Sequence, residues 1–327
     1  MDLSTNYMGL KLKNPLIVSS SELTNSVEKV KKCEEAGVGA VVLKSLFEEQ
    51  ILVDKDRLMT QDDMYFWYPE AIDYLNEFSR EDGVDAYLNL IAAAKKETSI
   101  PVIASINCIT PREWPVFASE IEKSGADGLE LNVSISPADM NYPPSRIEDT
   151  YFDIIKEVKK NTGLPIAVKI GFHFTNPARF IHKLSNAGIG AIILFNRFFR
   201  PDIDIDNVAV VARNRYSSPE EITIPLRWVA LMSAKAGCNI AASTGIHDFT
   251  GMARQILAGA TTVQVCSTLY KNGISYAGTM LREFEAWMNR QGYNSLDDCR
   301  GIAVKDEQSS AAFERVQFMK KTIGKID

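Results

Sequence analysis

Short apolar, β-branched runs recur eight times along this chain, and that period restricts the fold more than any other feature. The runs occupy residues 16–19, 40–45, 102–107, 128–134, 166–170, 191–196, 239–245 and 262–268. Each is almost continuously apolar and bounded by turn-forming residues, the pattern of a parallel strand buried on both faces. Amphipathic segments over 26–36, 86–97, 114–123, 151–161, 177–187, 226–236 and 249–258 separate them. The even-numbered runs are entered through glycines such as Gly37, Gly125, Gly188 and Gly259, which suit a left-handed helix end. Eight strand-then-helix units predict the α/β class and a single (β/α)8 TIM barrel over residues 1–327, with a doubly wound sheet as the alternative.

Composition narrows the partners. With 36 Lys and Arg against 42 Asp and Glu, the net charge of −6 gives no basic surplus for a nucleic acid or an anionic membrane. No apolar stretch reaches the roughly 18 to 20 residues of a spanning helix, and the opening MDLSTNYMGLKLKNP is unlike a secretory signal. The five cysteines, Cys33, Cys108, Cys238, Cys266 and Cys299, are scattered without a C-x-x-C pair. A cytoplasmic protein with reduced thiols is the expectation.

Two strand-to-helix connections, 46–85 and 197–225, are too long to be simple turns, and in a barrel both would lie at the C-terminal mouth where substrate sites are built. The first contains the aromatic tract Met64-Tyr65-Phe66-Trp67-Tyr68-Pro69; the second contains an alternating stretch, 207–213, that could pair with 221–224. Either could be a lid or a subunit contact.

Polar residues gather at the ends of the runs: Ser19-Ser20-Ser21, Lys44-Ser45, Asn107, Asn132 with Ser134, Lys169, Asn196, Ser243-Thr244-Gly245 and Ser267-Thr268. A lysine inside AVVLKS or IAVKI is costly to bury without compensation, so an anionic or electron-accepting partner is its natural explanation. Backbone N–H groups after the seventh and eighth runs would make the phosphate site common to many barrels. No metal site is expected. His173, His182 and His247 lack ligand spacing, and Asp202-Ile203-Asp204-Ile205-Asp206 lacks the Gly and Glu of a calcium loop, so a solvated strand edge fits it better.

Met8-Gly9-Leu10-Lys11-Leu12-Lys13-Asn14-Pro15, Lys44-Ser45, Glu130-Leu131-Asn132-Val133-Ser134, Ala167-Val168-Lys169, Leu194-Phe195-Asn196, Gly245-Ile246 and the run from Ala258 to Val265 stand in the order of landmarks in class 1 dihydroorotate dehydrogenases. The chain resembles that family from about residue 7 to about residue 301. The resemblance implies an FMN-containing barrel that oxidises dihydroorotate to orotate in pyrimidine biosynthesis, an oxidoreductase of the CH–CH group that forms a homodimer. Carried over by position, Ser19, Ser20, Lys44, Ser45, Asn132, Lys169, Ser243, Thr244, Gly245, Cys266, Ser267 and Thr268 would line FMN. Lys44 and Lys169 would stand near the flavin ring, and Asn132 and Asn196 would bind the substrate ring. The family's membrane-bound class is disfavoured.

Three departures qualify what the resemblance implies. The family's Asn-x-Ser-(Cys or Ser)-Pro-Asn loop reads Asn132-Val133-Ser134-Ile135-Ser136-Pro137-Ala138 here, which puts Ile135 at the ungapped position of the base; one extra residue would instead make Ser136 the base. The family's second Asn is replaced by Pro137 or Ala138, with Asn141 a substitute nearby, and the family's Asn-rich, Gly-containing stretch after strand two is replaced by the bulky tract 64–70. The phosphate loops are poorer in Gly, which is harmless provided no residue there needs a positive φ. A reductase of another unsaturated substrate, or a catalytically silent FMN-binding barrel acting through a partner, remain the alternatives.

Overall fold

A computed structural model describes residues 1–54 and 83–305, apart from 113, 136, 137, 139, 141, 199 and 212–214. Eight parallel strands close into a barrel: Leu16–Val18, Ala40–Val42, Val102–Cys108, Gly128–Val133, Ile166–Ile170, Ala191–Leu194, Asn239–Ser243 and Thr262–Val265. Each pairs with its neighbours in sequence order, and the eighth pairs with the first. Every predicted run is therefore a strand. Six of the predicted runs overreach at their C-terminal ends because those polar residues already belong to the loops, whereas 166–170 matches its strand and 102–107 stops one residue short; Ser267 and Thr268 open the helix Ser267–Asn272.

Alternation along each strand sorts the side chains. Leu16, Val18, Leu129, Leu131, Val168, Ile192 and Val263 point outward and join the apolar shell under the helices. Ile17, Val42, Ile103, Ala167, Ile193 and Ala241 point into the barrel and form a second, smaller cluster. The inward positions nearest the start of the strands are small because something else fills the space. An antiparallel hairpin, Thr5–Tyr7 with Leu10–Leu12, lies across that end and inserts Tyr7, Met8 and Leu12, all buried, into the inner cluster. Burying such side chains contributes about 1.5–3 kcal/mol each. The hairpin backbone is fixed by Met8, whose N–H donates to Asn239 Oδ1 at 2.8 Å. Its close approach explains Gly190: a Cβ there would sit 2.6 Å from Met8 Cβ.

Helices cover the barrel largely where amphipathic spacing predicts them, as with Val27–Glu35, Val84–Glu97, Pro177–Ser185 and Phe249–Leu257. The helix after the fourth strand starts earlier than predicted, at Pro144, since Pro at the first helical position favours initiation. Helix Tyr276–Gln291 follows the eighth strand and buries Met280, Phe284 and Met288.

The long connections carry their own structure. In the 46–85 insertion, Leu46–Phe47 extends the sheet beside the third strand and Glu48–Asp54 is helical; the aromatic tract 64–69 lies outside the described residues. In the 197–225 insertion the expected hairpin partner is corrected. Ala209–Val211 pairs with Asp202–Asp204, and Pro219–Ile222 is a 3-10 turn, because Pro219 suits a helical start and Ser218 caps it with Glu221. The Asp-Ile-Asp run is thus one strand of an exposed hairpin. Ile203, Ile205, Val208 and Val210 are between 62% and 86% exposed along it.

Candidate functional site

At the opposite end from the hairpin plug, the inward side chains change from apolar to polar within one step of the alternation. Ser19, Ser105, Glu130, Lys169, Ser243 and Gln264 form this layer, all of them buried. Register places Asn132 beside Lys169 and Ser243 beside Gln264. The layer follows from strand alternation: Ser19, Ser105, Lys169 and Ser243 sit two positions beyond inward Ile17, Ile103, Ala167 and Ala241, and Glu130 and Gln264 two beyond Gly128 and Thr262.

Lys169 is the centre of the layer. Its Nζ donates to Ser19 Oγ at 2.9 Å and to Gln264 Oε1 at 3.3 Å, and stands 3.7 Å from Glu130 Oε1. Gln264 Nε2 donates to Glu130 Oε2 at 2.6 Å, and Ser19 Oγ donates to Gln264 Oε1 at 3.2 Å. The side chains of Lys169 and Glu130 are only 8% and 1% exposed. The sequence expectation that Lys169 needs an anionic partner is met in part from within the fold, by Glu130. Neither Glu130 nor Gln264 was singled out as a site residue from sequence. The signal that could have found them is their inward parity in GLELNVS and TVQVCST, where a polar residue should not sit without a partner.

Around this centre the other predicted residues fall into groups. Ser45 N–H donates to Ser20 Oγ at 2.8 Å, and Ser45 Oγ lies 2.7 Å from Ser105 Oγ, a hydroxyl chain linking the first three strands. Lys44 forms an ion pair with Glu22, so its charge is shared with a mouth carboxylate. Asn196 Nδ2 donates to Asn132 Oδ1 at 2.9 Å. That bond leaves the Asn132 amide N–H groups and the Asn196 carbonyl without a hydrogen-bond partner among the described residues. A donor and an acceptor held side by side match the edge of a cyclic amide.

The strand-seven and strand-eight loops differ from the expectation. Thr244 takes φ +80° and Gly245 φ +78°, so the provision that no residue there needs a positive φ is corrected. For a β-branched residue this conformation is strained by about 1–3 kcal/mol, and such strain collects at ligand sites. Thr244 Oγ1 donates to Phe195 O at 3.2 Å. A Cβ on Gly245 would collide with the backbone of Ile222, so its bare face serves the approach of the 197–225 insertion. Ser267 Oγ accepts from Ser217 N–H at 3.0 Å, and Thr268 Oγ1 donates to His247 O at 2.7 Å. These two side chains fasten the loop, which leaves backbone groups as the donors available to an anion. Burial pushes the Cys266 thiol up, against a Ser21 hydrogen bond and the Lys169 charge, so it remains a thiol.

Supporting charges hold the loops in place. Glu48 accepts from Ile109 N–H at 2.7 Å and Thr110 N–H at 3.0 Å; burial raises its carboxyl above the usual range even against these bonds. Glu221 binds Arg197 at 3.0 Å and Arg200 at 2.8 Å, and despite burial those partners and Ser218 hold it below the usual carboxylate range. His173, read from sequence as a loop histidine, packs its ring 4.1 Å from Phe172 and 4.6 Å from Phe198. Burial lowers its pKa. Among the described residues no group of three or more His, Cys, Asp or Glu could hold a metal ion. Ser136, Pro137 and Asn141 lie outside the described residues, whereas Ile135 packs against the main apolar core.

Cavities of about 670 Å³ and 460 Å³ open at the other end of the barrel, around Lys11, Asn239 and Arg300 and around Met8 and Gly190. Neither touches the polar layer. The candidate site is the convergence of Lys169, Glu130 and the asparagine pair, since chemistry needs directed polar groups and not volume alone.

Comparison with known proteins gives one family. The model of the dihydroorotate dehydrogenase family matches residues 2–288. Dihydroorotate dehydrogenase B (NAD(+)), catalytic subunit, from Thermoplasma volcanium is 26% identical over 317 residues, covering 93% of this chain and 99% of the relative. The proteins of that name from Pyrococcus abyssi and Caldicellulosiruptor saccharolyticus are 25% and 27% identical, covering 93% and 92% of this chain and 99% of each relative.

Proposed function

The chain belongs to the dihydroorotate dehydrogenase family, and from that premise we propose that it is an FMN-dependent oxidoreductase of the CH–CH group that converts dihydroorotate to orotate in pyrimidine biosynthesis. The observation that carries the reading is the Asn132–Asn196 pair beside buried Lys169, an amide-recognising edge next to a fixed positive charge.

The residues present fit FMN. Thr244 and Gly245 make a strained turn of the kind whose backbone N–H groups hold phosphate, and the hydroxyl chain of Ser20, Ser45 and Ser105 with Ser19 and Ser243 supplies neutral donors. Lys169 has three donors and spends two on Ser19 and Gln264. FMN supplies a hydride acceptor when bound. Lys169 places a positive charge where negative charge develops on reduction, and Lys44, shared with Glu22, adds to it. Asn132 and Asn196 orient the substrate ring. Ser136 is the proposed acceptor of the ring-carbon proton; a serine is a poor base at neutral pH, so turnover is expected to be slow.

A second reading is supported by Ile135, which occupies the ungapped base position and cannot accept a proton: a flavin-dependent reductase of another unsaturated substrate, or a silent FMN-binding barrel. The test is the absorption spectrum of the purified protein followed by anaerobic addition of dihydroorotate. A flavin spectrum that dihydroorotate bleaches, with slower bleaching in Ser136→Ala, supports the first reading. Flavin that stays oxidised supports the second.

The assembly is also proposed. The exposed Ile203, Ile205, Val208 and Val210 of the insertion hairpin would lie at a homodimer contact, while the relatives' name, catalytic subunit, argues for a further protein partner. Sedimentation at micromolar concentration should give a dimer that Ile205→Lys dissociates. Five unpaired thiols suit a cytoplasmic setting.

A further inference from the structure

Resting on the FMN reading above, we propose that Glu130 and Gln264 are positioning residues that set how much of the Lys169 charge reaches the mouth. The argument begins with donor and acceptor identity. A carboxylate only accepts, so the bond from Gln264 Nε2 to Glu130 Oε2 fixes the amide with its oxygen turned away. On that side the oxygen accepts from both Lys169 Nζ and Ser19 Oγ. The amide thus draws the ammonium upward to Ser19 at 2.9 Å and holds it 3.7 Å from Glu130 Oε1.

Among the described residues that oxygen has no hydrogen-bond partner, although it is buried. Leaving a buried acceptor unmade is costly, and a purely structural ion pair would close the gap. Nothing beneath prevents closure by charge. Tyr7, one of the inward residues of the hairpin plug, is held neutral by burial and by the Glu130 charge, against a contact with Gln264. Cys266, which faces the same ammonium, is likewise neutral. Among the described residues Lys169 and Glu130 are therefore the two charges of this buried layer, and the Gln264 bridge fixes their separation. Glu130 attenuates the field of Lys169, and Gln264 keeps the lysine available to the mouth.

Sulfite is the probe, because its sulfur lone pair adds reversibly to flavin N5 and pushes an electron pair onto the ring as a negative charge, dissociation returns oxidised flavin and sulfite, and no substrate is needed. With FMN-loaded protein, Glu130→Gln should tighten sulfite binding by about tenfold, while oxidised FMN affinity changes less than about twofold. Gln264→Met should act in the opposite sense and weaken sulfite by a similar factor, as Lys169 settles onto Glu130. Loosening of the fold would weaken both ligands in both variants, so opposite signs mark positioning. Sulfite affinity that is unchanged or weakened in Glu130→Gln while FMN still binds overturns the proposal alone. If Glu130→Gln does not fold, Gln264→Met decides: weakened sulfite with FMN retained supports the proposal and unchanged sulfite overturns it. Wild-type protein that takes up no FMN overturns the flavin reading and this proposal with it.

Discussion

The floor and the mouth of the barrel are built by the same eight strands, two residues apart along each inward face. At the floor the inward residues are apolar, many of them alanine, and the chain fills the remaining space with Tyr7, Met8 and Leu12. At the mouth the inward residues are charged, amide or hydroxylic and are left facing one another around a lysine. The difference teaches where the sequence spends stability. Apolar complementarity at the floor contributes folding energy directly, whereas a buried ion pair with an unsatisfied carboxylate oxygen is a weak source of stability and is better explained by function.

The sharpest way to break that comparison is to remove the mouth charge. Lys169→Met should slow dihydroorotate-dependent flavin reduction by roughly 10²–10³-fold. It should also lower unfolding free energy by about 3–5 kcal/mol, because Glu130 is left buried and uncompensated. Adding Glu130→Gln to that variant should restore most of the stability and none of the reduction rate. Stopped-flow bleaching and urea titration read the two separately; recovery of both would make the pair structural. At the floor, Gly190→Ala drives a Cβ into Met8 and should destabilise by about 1–3 kcal/mol, with FMN affinity unchanged in a fluorescence titration. A floor change that altered flavin binding would dissolve the distinction.

Smaller effects refine the mouth. Asn196→Ala removes one half of the amide edge and should raise the dihydroorotate KM about tenfold at nearly constant stability. His247 gives a pH signature. Burial, then the Lys271 charge, hold its imidazole below the ordinary value of 6.5. The unfolded chain binds the proton more readily, so the stability His247 contributes is present above about pH 6.5 and is lost as pH falls through the folded value. Melting curves at about pH 7.5 and pH 5.5 should diverge more for wild type than for His247→Asn.

The barrel was legible because every strand is buried on both faces, so its period survives without any knowledge of partners. Lys169 was legible for the same reason, as a charge in an apolar run. What pairs it was not: Glu130 and Gln264 lie 134 residues apart in sequence and meet only when the sheet closes. The hairpin of the second insertion was misassigned because Ala209–Val211 alternates equally well against either neighbour, and only turn geometry around Asp204 selects Asp202–Asp204. There Asp204 Oδ1 accepts from Asp206 and Asn207 N–H, closing the turn. The positive φ of Thr244 has no sequence signature, since threonine is among the residues least suited to it.

The hairpin that plugs the floor has a kinetic corollary. Its fastenings are among the most distant in sequence: Met8 to Asn239, Thr5 to Arg300, and Asp2 to Asn294 and Leu296. During synthesis the first twelve residues emerge with Tyr7, Met8 and Leu12 exposed, and none of those anchors exists until the last strands and the final helices have been made. The nascent chain must therefore keep an apolar segment waiting through almost the whole of translation, at the largest loop-closure entropy among the described residues. Barrel completion is tied to the C-terminal end of the chain. A truncation just before Asn294 would be expected to leave the N-terminal segment unseated and prone to association, even with all eight strands present.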